Sequence, residues 1–211
     1  MSHEQASDSL VIAIDGPAGA GKTHIAKQIG QYWSLDHDRQ IIHGDHYFEP
    51  ADRPGVEAVA GTPGGFNPDR FMRQVGRAIN DPAVAFQVEE YDWQTDSYVP
   101  RPAPDRRQKI VAEGIKLIGL PINWGLKVWV DVPYEVRKQR FVARRLEDRR
   151  MRESDQAALL DRFELWQADA ERYTADINPH GRLDIVVVDG ALHPDNQLAI
   201  IAAAVNDVEC P

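Results

Sequence analysis

A chain whose single cysteine is Cys210 has no partner for an internal disulfide, so nothing in it is stapled covalently. Long apolar runs are missing too: none approaches the ~18–20 residues that a helix needs to span a bilayer, which argues against a membrane protein. Positive charge is in deficit. Lys and Arg number 24 against 33 Asp and Glu, for a formal net charge of −9. That balance disfavours general binding to nucleic acid or to an anionic membrane surface. Met1 to Ser9 is polar, contains Glu4 and Asp8, and reads as a flexible lead, not as a signal or transit peptide. Together these features point to a cytoplasmic protein. With 211 residues, 43% of them hydrophobic and 27% charged, the chain suits one α/β domain, 1–211, without repeats or an internal boundary.

What is present is concentrated near the N-terminus. Gly16-Pro17-Ala18-Gly19-Ala20-Gly21-Lys22-Thr23 reads G-x-x-x-x-G-K-T. Glycines let such a backbone curl around an anion and point several N–H groups inward. Lys22 has the reach for β- and γ-phosphates, and the Thr23 hydroxyl suits Mg²⁺. The following helix adds the positive end of its dipole. The setting agrees: Leu10 to Ile14 is a short apolar run ending at Asp15, and Thr23 to Trp33 spaces Ile25, Ala26, Ile29 and Tyr32 as a helix does. Gly16, Ala18, Gly19, Ala20, Gly21, Lys22 and Thr23 are therefore the candidate ATP-phosphate contacts.

Further along, Gln40 to His43 reads as a strand ending in Gly44-Asp45-His46-Tyr47-Phe48. A carboxylate just past the C-terminal end of a parallel strand stands where such sheets bind ligands. Asp45 is a candidate general base or magnesium ligand, with a turn or helix-cap role as the plain alternative. His43 and His46 flank it and could assist. Residues 49–67 hold several prolines and glycines and read as an irregular loop. Asp69 to Ile79 carries a helical pattern, and Val84 to Tyr91 reads as a strand. Tyr91-Asp92-Trp93-Gln94-Thr95-Asp96-Ser97-Tyr98 mixes rings with polar groups, as a small-molecule pocket does. A hairpin whose aromatics pack on one another would look the same. Pro100 to Arg107 reads as an exposed, flexible basic loop.

Lys109 to Ala112 is another short strand, ending at Glu113, a candidate to hold magnesium directly or through water. Leu126 to Val132 is a strand, and Pro133 suits the start of a helix. Tyr134 to Asp148 is basic, with Arg137, Arg140 and Arg144 at three- and four-residue spacing and so on one face. In an acidic protein such a face looks made for anions, because guanidinium forks match phosphate oxygens. Gln156 to Tyr173 is a second helix whose Trp166 reads as core. Asp184 to Asp189 is a last buried strand, and Leu198 to Val205 a closing apolar helix. Alternating strands and helices imply a mainly parallel sheet with right-handed crossovers.

Taken in order, GPAGAGKT, GDHYF, FNPDRF, YDWQTDSY, AEG and RFVARRLEDR resemble the uridine kinase and phosphoribulokinase branch of the P-loop kinases, over residues 10 to about 190. The resemblance implies a three-layer P-loop NTPase fold with a helical, arginine-bearing lid over about 137–175. It implies ATP and Mg²⁺ as cofactors, and transfer of the γ-phosphoryl group to the hydroxyl of a small molecule. By that likeness Asp45 is the base, Lys22 and the loop hold ATP, Thr23 and Glu113 serve the metal, and Tyr91 lines the acceptor pocket with Tyr47, Trp93 and Asp96. Arg144 closes over the phosphates, with Arg140 and Arg149 as neighbours. Many relatives are oligomers, so a homo-oligomer fits the resemblance. The departures bear on the acceptor. Uridine kinases carry a pyrimidine-contacting His where Asp96 stands, and a ribose-binding Asp where Phe66 or Asn67 stands. The usual Arg-Asp of the lid is Arg144-Arg145, and its later Arg-Gly-Arg is Arg149-Arg150-Met151. Phosphate handling is kept while nucleoside recognition is altered. A regulatory ATPase without a small-molecule acceptor is the competing reading, although no guanine-reading Asn-Lys-x-Asp and no Asp-Glu pair at Ala112-Glu113 support a GTPase or a mechanical ATPase.

Overall fold

The computed structural model describes residues 10–47, 66–92, 97–147 and 156–210. The expectations for residues 1–9, for most of the 49–67 loop, and for Trp93, Asp96 and Arg149 lie outside the described residues.

The fold grows from β1 (Val11–Asp15), every residue of which is buried. Side chains alternate across a strand, so Val11 and Ala13 enter one apolar layer while Ile12 and Ile14 enter the other. A strand buried on both faces needs partners on both sides and cover above and below. The partners are β5 (Ile110–Glu113) on one side and β6 (Leu126–Asp131) on the other, both parallel. β2 (Ile41–His43) flanks β5, and β7 (Val186–Asp189) flanks β6, giving the order β2-β5-β1-β6-β7. Ile12 and Ile14 are fully buried, and burial of each such side chain is worth ~1.5–3 kcal/mol.

The cover comes from helices. α1 (Lys22–Tyr32) and α7 (Pro194–Glu209) bring Ile25, Ile29, Ile201 and Val205 to one face. The other face packs against Phe71 and Val75 of a helical stretch over 68–80 and against Ile177 at the end of a long helix. That stretch is α3 (Pro68–Phe71), a π-helical turn (Met72–Gly76) and α4 (Arg77–Asn80). Asn67 caps it by accepting from the Arg70 N–H at 2.8 Å, with Pro68 in the first turn. A short α2 (His37–Gln40) precedes β2, and a 3-10 turn (Gly44–Tyr47) follows it. α5 (Tyr134–Glu147) and α6 (Gln156–Ile177) form the basic helix and its return. The architecture is a three-layer α/β fold on a parallel sheet. Among the described residues no helix is long and apolar enough to cross a membrane.

Three expectations need correction. The helix expected over Asp69–Ile79 is present but is interrupted by the π turn. The strand expected over Val84–Tyr91 is shorter: β3 (Glu89–Asp92) pairs antiparallel with β4 (Ser97–Pro100) in a separate hairpin. The Pro100–Arg107 loop is anchored where it was expected to be free. Arg106 donates to the Ala78 and Val84 carbonyls at 2.7 and 2.6 Å, and the Gln40 amide donates to the Asp105 and Lys109 carbonyls, both at 3.0 Å. Arginines in a proline-rich loop read as solvated, yet a guanidinium also satisfies stray carbonyls.

Candidate active site

The phosphate loop leaves the C-terminal end of β1 and runs into α1. Gly16, Gly19 and Gly21 all have positive φ, and at the first two a side chain would also meet backbone. Gly16 has φ +144°, and a Cβ there would stand 2.6 Å from the Val130 carbonyl oxygen. Gly19 has φ +79°, and its Cβ would stand 2.6 Å from the Arg137 carbonyl oxygen. The loop is thus wedged between β6 and the first turn of α5. Lys22 folds over it, its ammonium donating to the Gly16 and Pro17 carbonyls at 2.9 and 3.1 Å. Ala20 packs into the core, while Ala18 and Gly19 are only half-buried.

Asp15 holds the loop from below. Its Oδ1 accepts from the N–H groups of Gly16 at 2.7 Å and Lys116 at 3.1 Å. Its Oδ2 accepts from the Ile118 N–H at 2.9 Å and from the Tyr173 hydroxyl of α6 at 2.7 Å. Complete burial pushes the Asp15 carboxyl above its usual range, against the pull of these donors.

Beside the loop, parallel pairing aligns His43 of β2 with Glu113 of β5. The Thr23 hydroxyl donates to Glu113 Oε1 at 3.1 Å, and His43 Nδ1 lies 2.6 Å from the same oxygen. Burial alone would raise Glu113; the bond and charge of His43, followed by Lys22 and Thr23, outweigh it and hold the carboxyl below its usual range. Asp45 lies on the 3-10 turn after β2. It keeps solvent-accessible surface, so its desolvation is partial. Crowding by protein, then the Glu113 charge, raises its carboxyl, while Lys22, His43 and Arg144 pull it down. Asp45, Glu113, Lys22, His43 and Arg144 therefore share one electrostatic neighbourhood, although they come from five separate elements.

The arginines divide. Arg137 is buried and structural, which corrects its reading as part of a phosphate-facing row. Its guanidinium donates to the carbonyls of Val132 at 3.0 Å and Ala18 at 3.4 Å and to the Gln167 side chain at 2.6 Å. Arg140 is exposed, bonds the Gly190 carbonyl at 3.1 Å, and has a guanidinium nitrogen 3.9 Å from where a Cβ on Gly21 would stand. Arg144 is exposed one turn further on.

Two aromatics expected at the substrate lie in the interior. Tyr47 is fully buried in the core against Phe71, with ring centroids 4.9 Å apart. Tyr91 is buried and meets Tyr98 edge-on at 5.1 Å. Around that hairpin the charges pair off. Arg70 bonds Glu89 and lies over the Tyr98 ring at 3.2 Å. Arg101 reaches Glu90 at 3.4 Å and Asp38 at 3.6 Å. His46 lies 3.4 Å from Glu90, and burial pushes it down to about 4.

The roles of Asp15, Tyr173 and Arg70 escaped the sequence reading. Asp15 carried one signal, a carboxylate ending an otherwise apolar strand; Tyr173 and Arg70 carried none.

No family model matches the chain. Among curated proteins it is similar to the cytidylate kinase of Natronomonas pharaonis, 25% identical over 203 residues, covering 93% of this chain and 90% of that protein. The cytidylate kinase of Pyrococcus horikoshii is also 25% identical, over 214 residues, covering 96% and 91%. Among solved structures it is similar to a candidate fructose transport system kinase from a Silicibacter species, with TM-score 0.62, 19% identity, and 88% and 92% of the two chains covered. A candidate uridine kinase from Bacillus stearothermophilus follows with TM-score 0.55, 20% identity, and 87% and 90% covered. These likenesses, together with a parallel sheet that carries G-x-x-x-x-G-K-T at the end of its central strand, give the chain the fold of the P-loop kinases.

Proposed function

We propose that the protein is a small-molecule kinase that transfers the γ-phosphoryl group of ATP to a hydroxyl. The observation that carries this reading is Asp45, held at a strand end within electrostatic reach of Glu113, Lys22 and Arg144. In a regulatory ATPase a second carboxylate beside the metal acid would serve only to activate water, so acceptor-stimulated ADP release separates the two readings.

The donor set fits magnesium. Thr23 spends its own hydrogen on Glu113, which leaves its oxygen lone pairs for a cation. Mg²⁺ characteristically takes few protein ligands and fills its shell with phosphate oxygens and water. When bound, it would neutralise charge on the β- and γ-phosphates. The loop N–H groups and Lys22 hold the phosphates, Arg140 and Arg144 offset charge on the transferring group, and Asp45 orients and deprotonates the acceptor hydroxyl. An arginine-bearing lid would exclude water from this transfer.

A hydroxyl acceptor fits better than the phosphate acceptor that a cytidylate kinase takes. Among the described residues the cations near the hairpin are already paired: Arg70 with Glu89, and Arg101 with Glu90 and Asp38. Among the described residues beside the hairpin, a phosphorylated acceptor would meet the Asp45 charge and only guanidiniums that are already paired. The curated relatives nonetheless make cytidine monophosphate the necessary control. The test is coupled ADP release from Mg·ATP with uridine, cytidine, other nucleosides, nicotinamide riboside, pantothenate, simple sugars and cytidine monophosphate. Stimulation by a neutral alcohol supports the reading. Stimulation by the monophosphate alone reassigns the acceptor, and a flat panel with slow hydrolysis makes the protein a regulatory ATPase.

A further inference from the structure

We propose that His43 is a positioning residue that sets the orientation of Glu113 toward the metal, an inference that rests on the kinase reading. Three observations converge on it. The β2–β5 register puts His43 directly beside Glu113. The 2.6 Å contact runs from His43 Nδ1 to Oε1, the oxygen that also takes the Thr23 hydroxyl. Both partners are largely out of solvent, with side-chain exposures of 14% and 5%. An ionised carboxylate only accepts, so Nδ1 carries the hydrogen of this bond. Two donors from different elements meet on one oxygen. They fix the carboxylate plane, and with it the direction in which Glu113 would meet a cation. The His43 ring is itself held, with His37 and His46 rings 5.6 and 5.4 Å away. Partners of this kind set ligand direction in metal sites and are missed when only the ligands are counted.

The test reads metal dependence apart from turnover. Binding of a fluorescent ADP to the full chain is titrated with Mg²⁺ and repeated in EDTA. Removing the donor with His43→Leu should raise the Mg²⁺ concentration for half-maximal enhancement about ten-fold, the lower end of second-sphere effects, and leave binding in EDTA unchanged. His43→Asn keeps a donor near Nδ1 and should restore most of the metal response. In a Glu113→Gln background, His43→Leu should add nothing. A His43→Leu protein with the wild-type Mg²⁺ midpoint overturns the proposal, as does an equal loss in EDTA or an additive loss with Glu113→Gln. Should His43→Leu fail to fold, His43→Ala takes its place: it must raise the Mg²⁺ midpoint about ten-fold, and a wild-type midpoint there overturns the proposal. Wild-type protein that binds no nucleotide, or binds it indifferently to Mg²⁺, would instead overturn the kinase reading beneath.

Discussion

Asp15→Asn changes one atom in a fully buried hub, and its effect follows from counting donors. The carboxylate serves four: Gly16 and Lys116 on Oδ1, and Ile118 and Tyr173 on Oδ2. An amide has a single oxygen. Turned toward the phosphate loop it keeps Gly16 and Lys116 and aims its NH₂ at the other two. The Tyr173 hydroxyl can rotate and accept, as it already does from the Gly119 N–H at 3.0 Å. The Ile118 N–H has no such freedom. Leaving one buried donor unsatisfied costs about 1–3 kcal/mol. Because burial pushes the Asp15 carboxyl up, removing its charge returns part of that loss. A net destabilisation of about 1–2 kcal/mol remains, and for a chain of this size each kcal/mol moves the melting temperature by about 2–4 °C. Calorimetry at neutral pH should therefore give a midpoint lower by about 2–8 °C on the same scale. A midpoint equal to or above that of the wild type would mean that relief of desolvation outweighs the orphaned amide, and the account of the hub would fail.

Other outcomes follow from the same geometry. Asp45→Asn should lower kcat about 10²–10⁴-fold with nucleotide affinity nearly intact, by analogy with lost general bases; unchanged turnover would remove Asp45 from the chemistry. Since Asp45 is raised and must be ionised to act, the acid limb of kcat/KM for the acceptor should lie above the ordinary aspartate value of about 3.9. Arg144 pulls Asp45 down, so Arg144→Ala should move that limb to higher pH; a shift to lower pH would contradict the arrangement. Lys22→Met should weaken ATP binding in calorimetric titrations while leaving the melting temperature within a few degrees. Gly19→Ala combines a positive φ with a Cβ 2.6 Å from the Arg137 oxygen, so nucleotide binding should collapse even if the protein folds; retained affinity would mean that the loop tolerates a shift away from α5.

The phosphate loop was legible because its parts are contiguous, so spacing alone carries the geometry. Strand ends were legible for a similar reason: an apolar run stopped by a carboxylate marks both position and chemistry, as at Glu113. Side-chain direction was not. Arg137, Arg140 and Arg144 share a face by spacing, yet the first turn of α5 is buried against the loop and only later turns emerge. Aromatic tracts carry the same ambiguity, since a ring suits a pocket wall or a core equally well: Tyr47 packs in the core against Phe71, and Tyr91 lies against Tyr98 in the hairpin. The π turn at Met72–Gly76 leaves no mark in an apolar periodicity of about 3.6 residues. The bond between His43 and Glu113 depends on strand register between segments 70 residues apart, which no local pattern encodes.

Arg137 also makes the basic helix an indexed part. Its guanidinium ties Val132, Ala18 and Gln167, and its own carbonyl lies where the Gly19 loop has no room for a side chain. Loop and helix are therefore keyed to each other at this residue, and useful positions downstream are found by counting from it. One residue inserted just after Arg137 would turn everything beyond by about 100° and advance it by about 1.5 Å. Arg140 and Arg144 would then swing off the phosphate side together, with composition and charge unchanged. The phase of the helix relative to the loop is thus set at Arg137, and a designer who grafts this helix onto another such loop must carry the key along with it.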